Sequence, residues 1–185
     1  MSEVKAPPKD PGIATAPAPS LARRLASFLY EGVLLFGVVM ITALAYGLVT
    51  SQHHALVGST GLKITLFAVL GLYFVHFWSQ HGQTLAMKTW HVRLVGRDGR
   101  PPGRWRATAR FLLCWLWFLP ALGALAVSGL QGGGAFVVLI ATGVLAYAAL
   151  AWLRPDRQFL HDALCGTRLV DVRPAAIVPN AAPSP

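Results

Sequence analysis

Charged residues are scarce in this chain, and acidic residues are the scarcer kind. Only 12% of its 185 residues are charged, with 7 Asp and Glu against 16 Lys and Arg. Soluble domains typically carry about 25% charged residues. Hydrophobic residues make up 55% of the chain, which excludes a wholly disordered polymer because so much apolar surface would collapse in water. Low charge and high apolar content together indicate a protein of the lipid bilayer.

Cysteine is sparse, and the common catalytic motifs are missing. Two cysteines, Cys114 and Cys165, are too few for a disulfide framework or a four-ligand zinc site. The sequence contains no GxSxG, HExxH, P-loop or CxxC motif. His161 and Asp162 lie close to Cys165, but neighbours within one segment rarely form a catalytic triad. We therefore expect no catalytic residue, no metal site and no cofactor, and we do not expect an enzyme.

Long apolar runs predict the fold. Crossing about 30 Å of hydrocarbon takes about 20 helical residues. Suitable runs cover residues 25–50, 64–80, 111–130 and 135–153. Only the first of them contains a charged residue, Glu31. The predicted fold class is therefore an all-α membrane protein with four transmembrane helices.

The cations predict the orientation of these helices. Fifteen of the 16 Lys and Arg lie in the N-terminal arm, in the loop between the second and third runs, or after the fourth run. Cationic loops stay in the cytoplasm, so both termini and the central loop are expected there. The same charges predict contact with anionic lipid at the cytoplasmic face. Nucleic acid is not an expected partner, because no recognition motif accompanies the charge.

The central loop shows signs of local structure, whereas the two ends do not. Residues 1–20 and 174–185 are rich in Pro and Ala and are predicted to be disordered, which leaves a membrane domain over residues 21–173. In the loop, Trp90, Val92 and Leu94 alternate with polar residues, as in a half-buried strand. A second short strand is predicted at the C-terminal end of the domain, over residues 167–172. Pairing of the two strands would form a small cytoplasmic β-structure.

Glu31 is the candidate functional residue of the first run. It follows Arg24 by seven residues, so both side chains lie on one helix face, about 10 Å apart. With Arg24 at the interface, Glu31 would lie about a third of the way into the hydrocarbon, where a charged side chain needs a partner. One interpretation is an ion pair with Arg24 or Arg110. The other is a carboxyl group that exchanges a proton or a cation.

Three motifs resemble those of the RDD family of small bacterial membrane proteins. The segment from Arg24 to Glu31 resembles the family's opening motif, in which an aspartate follows an arginine by seven residues; here a glutamate replaces that aspartate. Gly82, Thr84 and Lys88 resemble the family's central segment. Arg110 stands where an arginine often opens the next span. The closing motif, which contains the family's second aspartate, resembles His161, Asp162, Gly166 and Thr167. The resemblance covers about residues 21–172.

The resemblance implies a multi-pass protein of the bacterial cytoplasmic (inner) membrane. It also implies a transporter of an undetermined ion or small solute, for which we expect coupling to protons or cations. With only four helices, such a transporter would need to form a homo-oligomer. The alternative is a membrane assembly or scaffold protein that does not transport, in which Arg24, Glu31 and Asp162 form a structural lock.

Overall fold

The computed structural model describes residues 13, 16–50, 59–115, 118–128, 133–153 and 158–174. These residues form seven α-helices, one 3-10 turn and two strands. In chain order the elements are α1 (Leu21–Thr50), α2 (Ser59–His81), α3 (Leu85–Thr89), β1 (Val92–Gly96), α4 (Arg104–Cys114), α5 (Leu119–Ser128), α6 (Gly133–Ala149), the 3-10 turn (Leu150–Leu153), α7 (Leu160–Leu164) and β2 (Thr167–Asp171).

Two helices, α1 and α2, are long and apolar enough to cross a membrane. None of the residues in the most apolar part of either helix is buried inside the protein. The buried residues of α1 are instead Arg24, Ser27 and Glu31. Apolar side chains such as Leu48 and Val49 face outward. This arrangement reverses that of a soluble helix and suits a hydrocarbon environment.

The third and fourth predicted spans are not confirmed as single membrane-length helices. The third, residues 111–130, contains the end of α4 and then α5, which has only 10 residues. Pro120 lies in the first turn of α5, where its missing N–H is tolerated, whereas inside a continuous helix it would break the hydrogen-bond pattern. The fourth, residues 135–153, ends in a 3-10 turn after α6. Among the residues that the structure describes, two helices are therefore candidate spans, and four spans stay a prediction.

The predicted strand pairing is confirmed. Strands β1 and β2 are antiparallel, with Leu94 opposite Leu169. The two Arg-Leu-Val triplets of the chain, residues 93–95 and 168–170, therefore face each other. Val92, Leu94 and Leu169 pack in the main core, which also contains helical residues such as Trp78 and Phe111. The small sheet is thereby fixed to one end of the helices.

The N-terminal arm covers the other face of the sheet. Ile13 and Ala16 pack against Val95 and Val170, and the Asp171 N–H donates to the Pro17 carbonyl at 2.9 Å. A two-stranded sheet is only marginally stable alone, so it gains from burial of both faces. The folded part thus begins before the predicted boundary at residue 21. Residues 1–12, 14–15 and 175–185 of the predicted disordered ends lie outside the described residues.

Arg23 attaches the start of α1 to the sheet, and Arg173 binds the same carboxylate. The Arg23 guanidinium donates to the Asp171 carboxylate and to the Trp90 carbonyl, and Arg173 donates to the same carboxylate at 2.7 Å. Burial opposes ionisation of Asp171, but hydrogen bonds from Arg173 and Arg23 outweigh it and lower the pKa of Asp171 to about 2. Asp171 is therefore ionised throughout the physiological range.

We predict that Gly82→Ala destabilises the protein. Gly82 has a φ of +69°, and an added Cβ would lie 2.6 Å from the Leu94 carbonyl oxygen. A left-handed conformation alone costs a residue with a side chain about 1–2 kcal/mol. The measurement is the apparent melting temperature of the purified protein in detergent.

Gly103→Ala is the matched control. Gly103 has a φ of −61°, and an added Cβ would meet no atom within 4 Å. We expect its melting temperature to stay near that of the wild type. Equal stability of the two variants would contradict the geometry assigned to Gly82.

Candidate functional site

The three residues of the predicted motif set are all buried. Arg24 and Glu31 are 6% and 7% exposed and face the protein interior from α1, and Asp162 in α7 is fully buried. The seven-residue spacing therefore places the first two on the inner face of the helix, as expected. The three residues do not, however, form one ion-pair network among the described contacts, because Glu31 and Asp162 have different partners.

Glu31 is held by two hydroxyl groups. The Tyr73 hydroxyl donates to its carboxylate at 2.7 Å, and the Thr84 hydroxyl donates to the other carboxylate oxygen. The described partners of Glu31 are thus two hydroxyl groups, and not the guanidinium of Arg24 or Arg110 that one of the two interpretations of the sequence gave it. Thr84 also accepts the Met87 N–H as the N-cap of α3. One carboxylate thus connects α1, α2 and the segment that follows α2.

The bond to Thr84 places Glu31 near one end of α2. Thr84 lies beyond the end of α2, in the segment that leads to β1. Glu31 is therefore close to the end of α2 that is followed by the sheet. The sequence contained the Thr84 signal, since the threonine belongs to the central motif. It contained no signal for Tyr73, which is 42 residues away from Glu31 and meets it only through helix packing.

Asp162 is paired with Arg110. The Arg110 Nε donates to Asp162 Oδ1 at 2.7 Å, with both side chains nearly excluded from solvent. The Thr167 hydroxyl is 3.3 Å from the same oxygen. On its other side, the Arg110 guanidinium lies over the Trp78 ring, 4.2 Å from the centroid. This pair joins α4 to α7 and β2, and it also fixes the end of α2.

His161 is a neutral member of an aromatic stack. Its backbone N–H donates to the Tyr147 hydroxyl, and the same hydroxyl is hydrogen-bonded to His161 Nδ1, 3.0 Å away. The ring lies nearly parallel to Phe159 and Tyr147. Burial lowers the pKa of His161 to about 4, against an opposing effect of Asp162. His161 therefore packs as a neutral ring at pH 7.

The other motif residues mostly shape the backbone. Gly82 and Gly166 both have positive φ, at +69° and +63°, which a glycine adopts at little cost. Gly166 ends α7, and Thr167 begins β2. Lys88, in contrast, is exposed on α3. These residues therefore determine where the chain turns, whereas Lys88 lies away from the buried groups.

A cavity of about 430 Å³ lies beside these residues. Four of its wall residues carry polar or charged groups from the motifs: Arg24, Glu31, Arg110 and His161. Most of the others are apolar or aromatic side chains of α1, α2 and α4, including Phe74, Trp78, Phe111 and Trp115. Asp162 lies behind this wall, bonded to Arg110. In the part of the chain that the structure describes, no three His, Cys, Asp or Glu side chains are grouped to hold a metal ion.

The comparison with protein families agrees with these motifs. The sequence model of the RDD family matches residues 18–166. The chain belongs to the RDD family. No curated protein and no solved structure matches it. The RDD match contains Arg24, Glu31, Arg110 and Asp162 and ends one residue before Thr167.

We predict that Asp162→Asn destabilises this RDD domain. Removing one partner of a buried ion pair leaves the other charge uncompensated and costs about 3–5 kcal/mol. The loss should appear as a lower melting temperature in detergent and lower protein abundance. Asp98→Asn is the control, because Asp98 is exposed and we expect no change. Unaltered stability of Asp162→Asn would show that the pair does not hold α4 to α7.

Proposed function

We propose that this RDD protein crosses the bacterial cytoplasmic membrane four times, with both termini in the cytoplasm. Helices α1 and α2 supply the first two crossings by length and composition. We assign the third to α4 and α5 together and the fourth to α6. An even number of crossings returns the chain to its starting side, where the cationic segments are expected.

The cytoplasmic face is proposed to contact anionic lipid. The segment between β1 and α4 and the first turn of α4 carry exposed arginines, among them Arg97, Arg100 and Arg104. Trp105 beside them is 87% exposed. An indole ring favours the membrane interface, and each nearby cation adds about 1 kcal/mol of attraction to an anionic surface.

The orientation predicts the result of reporter fusions. Reporters placed after residues 57, 98, 133 and 180 should read outside, inside, outside and inside, in that order. The fusion after residue 98 is the decisive one, because it follows β1 in the central cationic loop. An external signal there would overturn the orientation.

We propose that the protein transports an ion or small solute and that Glu31 exchanges a proton or cation during transport. The observation that carries this proposal is the pairing of a buried, cavity-lining carboxylate with two hydroxyl groups. A hydroxyl can donate or accept, so Tyr73 and Thr84 can bond both the ionised and the protonated carboxyl. A guanidinium can only donate and would favour the ionised form alone.

The transport path is proposed to need more than one copy of the chain. Four helices are few for a complete path, and inner membrane transporters commonly place their sites between repeated units. We therefore expect a homo-oligomer in the membrane. The exposed apolar faces of α1 and α2 supply surface for such contacts as well as for lipid.

The second candidate is a membrane assembly or scaffold protein that does not transport. The observation that favours it is the Arg110–Asp162 pair, which is buried and whose carboxylate lies behind the cavity wall and not on it. In this alternative Glu31 also serves only to hold α1 against α2 and α3. The two candidate functions predict different effects of a neutral substitution at Glu31.

We predict that Glu31→Gln folds and loses transport. A glutamine side chain can still bond both hydroxyls, but it cannot take up or release a proton. Proteoliposomes with the wild type should acidify or alkalinise when a sodium or potassium gradient is applied, measured with an enclosed pH-sensitive dye. Those with Glu31→Gln should not respond, and Glu31→Asp should retain part of the flux because it keeps the titratable group.

Thr65→Val is the matched control for this experiment. Its hydroxyl bonds only the Gly61 carbonyl of its own helix, so flux should be unchanged. A wild type without flux under every cation gradient would contradict transport. A strongly lowered melting temperature of Glu31→Gln, together with that absence of flux, would support the scaffold alternative.

A further inference from the structure

The charged groups on the wall of the cavity beside Glu31 are already engaged within the protein. Arg24 Nε donates to the Pro19 carbonyl at 2.9 Å. Arg110 Nε donates to the buried Asp162 carboxylate at 2.7 Å. Glu31 accepts from two hydroxyl groups, and its formal charge is opposite to that of Arg24. A charged ligand would lose its hydration in this largely apolar cavity without meeting an uncompensated partner, so the wall favours an uncharged ligand.

Ser27 places a hydroxyl group without a described partner on the same wall. Its side chain lines the cavity, the residue is 5% exposed, and the hydroxyl forms no hydrogen bond with the described residues. A hydroxyl in an apolar helix commonly bonds the carbonyl four residues earlier. Four helical residues of this protein do so, namely Thr50, Thr65, Thr89 and Thr108. Because buried polar side chains are nearly always bonded, the Ser27 hydroxyl indicates a polar atom of a ligand in the cavity.

Aromatic side chains are concentrated around this cavity. Seven of the 20 described residues that line it are Phe or Trp, although aromatic residues make up only 10% of the chain. The Phe74 and Phe111 rings lie 6.1 Å apart at an angle of 31°, and Phe111 and Trp115 are nearly perpendicular, at 87°. Aromatic rings pack well both in offset stacks and edge to face. A wall with both orientations favours a flat ring over a simple alkyl chain.

The cavity opens toward the surroundings of the helices. Leu29 of α1 and Trp115, which follows α4, both line it and are 68% and 38% exposed. In a membrane these side chains would contact lipid chains. The volume of about 430 Å³ lies within the range of small-molecule sites, about 300–1,000 Å³. A ligand dissolved in the bilayer therefore has a route into the cavity past these two side chains.

We infer that this cavity binds an uncharged molecule with a flat ring that carries a hydroxyl or carbonyl oxygen, as in a phenol or a quinone. The ring oxygen bonds the Ser27 hydroxyl, which can donate to either group and accept from a hydroxyl. The ring packs against Phe74 and Trp115. This site goes beyond the proposed transport function and does not depend on proton or cation exchange at Glu31. A binding measurement without an ion gradient therefore tests it separately from the flux experiment.

The test is equilibrium dialysis of the full chain in neutral detergent against radiolabelled 2-naphthol, a phenol that is uncharged at pH 7. Uptake by empty micelles is subtracted, and the remainder should saturate at one molecule per chain. Unlabelled 2-naphthoate has the ring with a negative charge, and decanol has a hydroxyl without a ring. Both should compete at least ten-fold more weakly than unlabelled 2-naphthol. Equal competition by either compound, or the lack of a saturable component, would overturn the inference.

A quinone with a long isoprenoid tail distinguishes two sources of the ring. Its competition with 2-naphthol would identify a lipid of the bilayer as a ligand, because the tail must then extend from the opening of the cavity. Its failure to compete, beside saturable 2-naphthol binding, would identify a small free ring compound.

Ser27→Ala tests the hydrogen bond to the ligand. It should weaken 2-naphthol binding about five-fold, as expected for the loss of one neutral hydrogen bond. Binding of naphthalene, which has the ring without the oxygen, should not change. Ser79→Ala is the matched control, because the Ser79 hydroxyl bonds the His76 carbonyl of its own helix at 3.3 Å and Ser79 is not among the described residues of the wall. Unchanged 2-naphthol affinity of Ser27→Ala would show that this hydroxyl does not hold the ligand.

Two glycines of α1 test the position of the ring. Gly32 lines the cavity, and an added Cβ there meets no atom within 4 Å, so Gly32→Leu should occupy the space and weaken 2-naphthol binding at least ten-fold. Gly37 has equally open surroundings but is not among the described residues of the wall, so Gly37→Leu should bind as the wild type does. Melting temperatures identify a variant that fails to fold, and the serine pair remains decisive in that event. Equal affinity of two folded glycine variants would contradict the site.

Discussion

The rest of the structure depends on a guanidinium and a carboxylate that are buried together. Arg110 and Asp162 meet at 2.7 Å with almost no exposure to solvent, and neither charge could remain there without the other. Their pairing places α7 against α4, and β2 follows α7 directly. The same guanidinium covers Trp78, so it also positions the end of α2 and one wall of the cavity. A change at this pair would therefore affect the sheet and the cavity together.

The polar side chains of α1 face the protein interior because the outer surface of this helix is apolar. Along α1 the buried side chains are Arg24, Ser27 and Glu31, and large apolar side chains face outward. In hydrocarbon, outward apolar groups cost nothing and polar groups must find partners within the protein. The sheet end obeys the opposite rule, since its core is Val92, Leu94 and Leu169 and its exposed residues are largely charged. The boundary between the apolar helical part and the sheet end lies close to Glu31 and the cavity.

Features that depend on short-range pattern were predictable, and features that depend on packing between distant segments were not. The seven-residue spacing of Arg24 and Glu31 predicted that both lie on one face of α1. The alternation of apolar and polar residues around Val92 predicted strand β1. The Tyr73–Glu31 bond arises only when α1 and α2 pack. Likewise, the packing of Ile13 on the sheet could not be inferred from a Pro- and Ala-rich arm, because composition does not show which few residues meet an apolar surface. Pro120 was visible in the sequence, but its apolar run did not show that it lies in the first turn of a separate helix, α5.

The two acidic residues of the motif set, Glu31 and Asp162, differ in their chemical surroundings because their hydrogen-bond partners differ. Asp162 faces a permanently charged guanidinium, and its negative charge balances that group inside the protein. Glu31 faces two neutral hydroxyls that can reverse the direction of their hydrogen bonds. Its side chain is one methylene longer than that of the aspartate usual at this family position, and it reaches donors on both α2 and the segment before α3. The longer reach therefore suits a carboxyl that connects neighbouring elements and has no ion pair among the described residues.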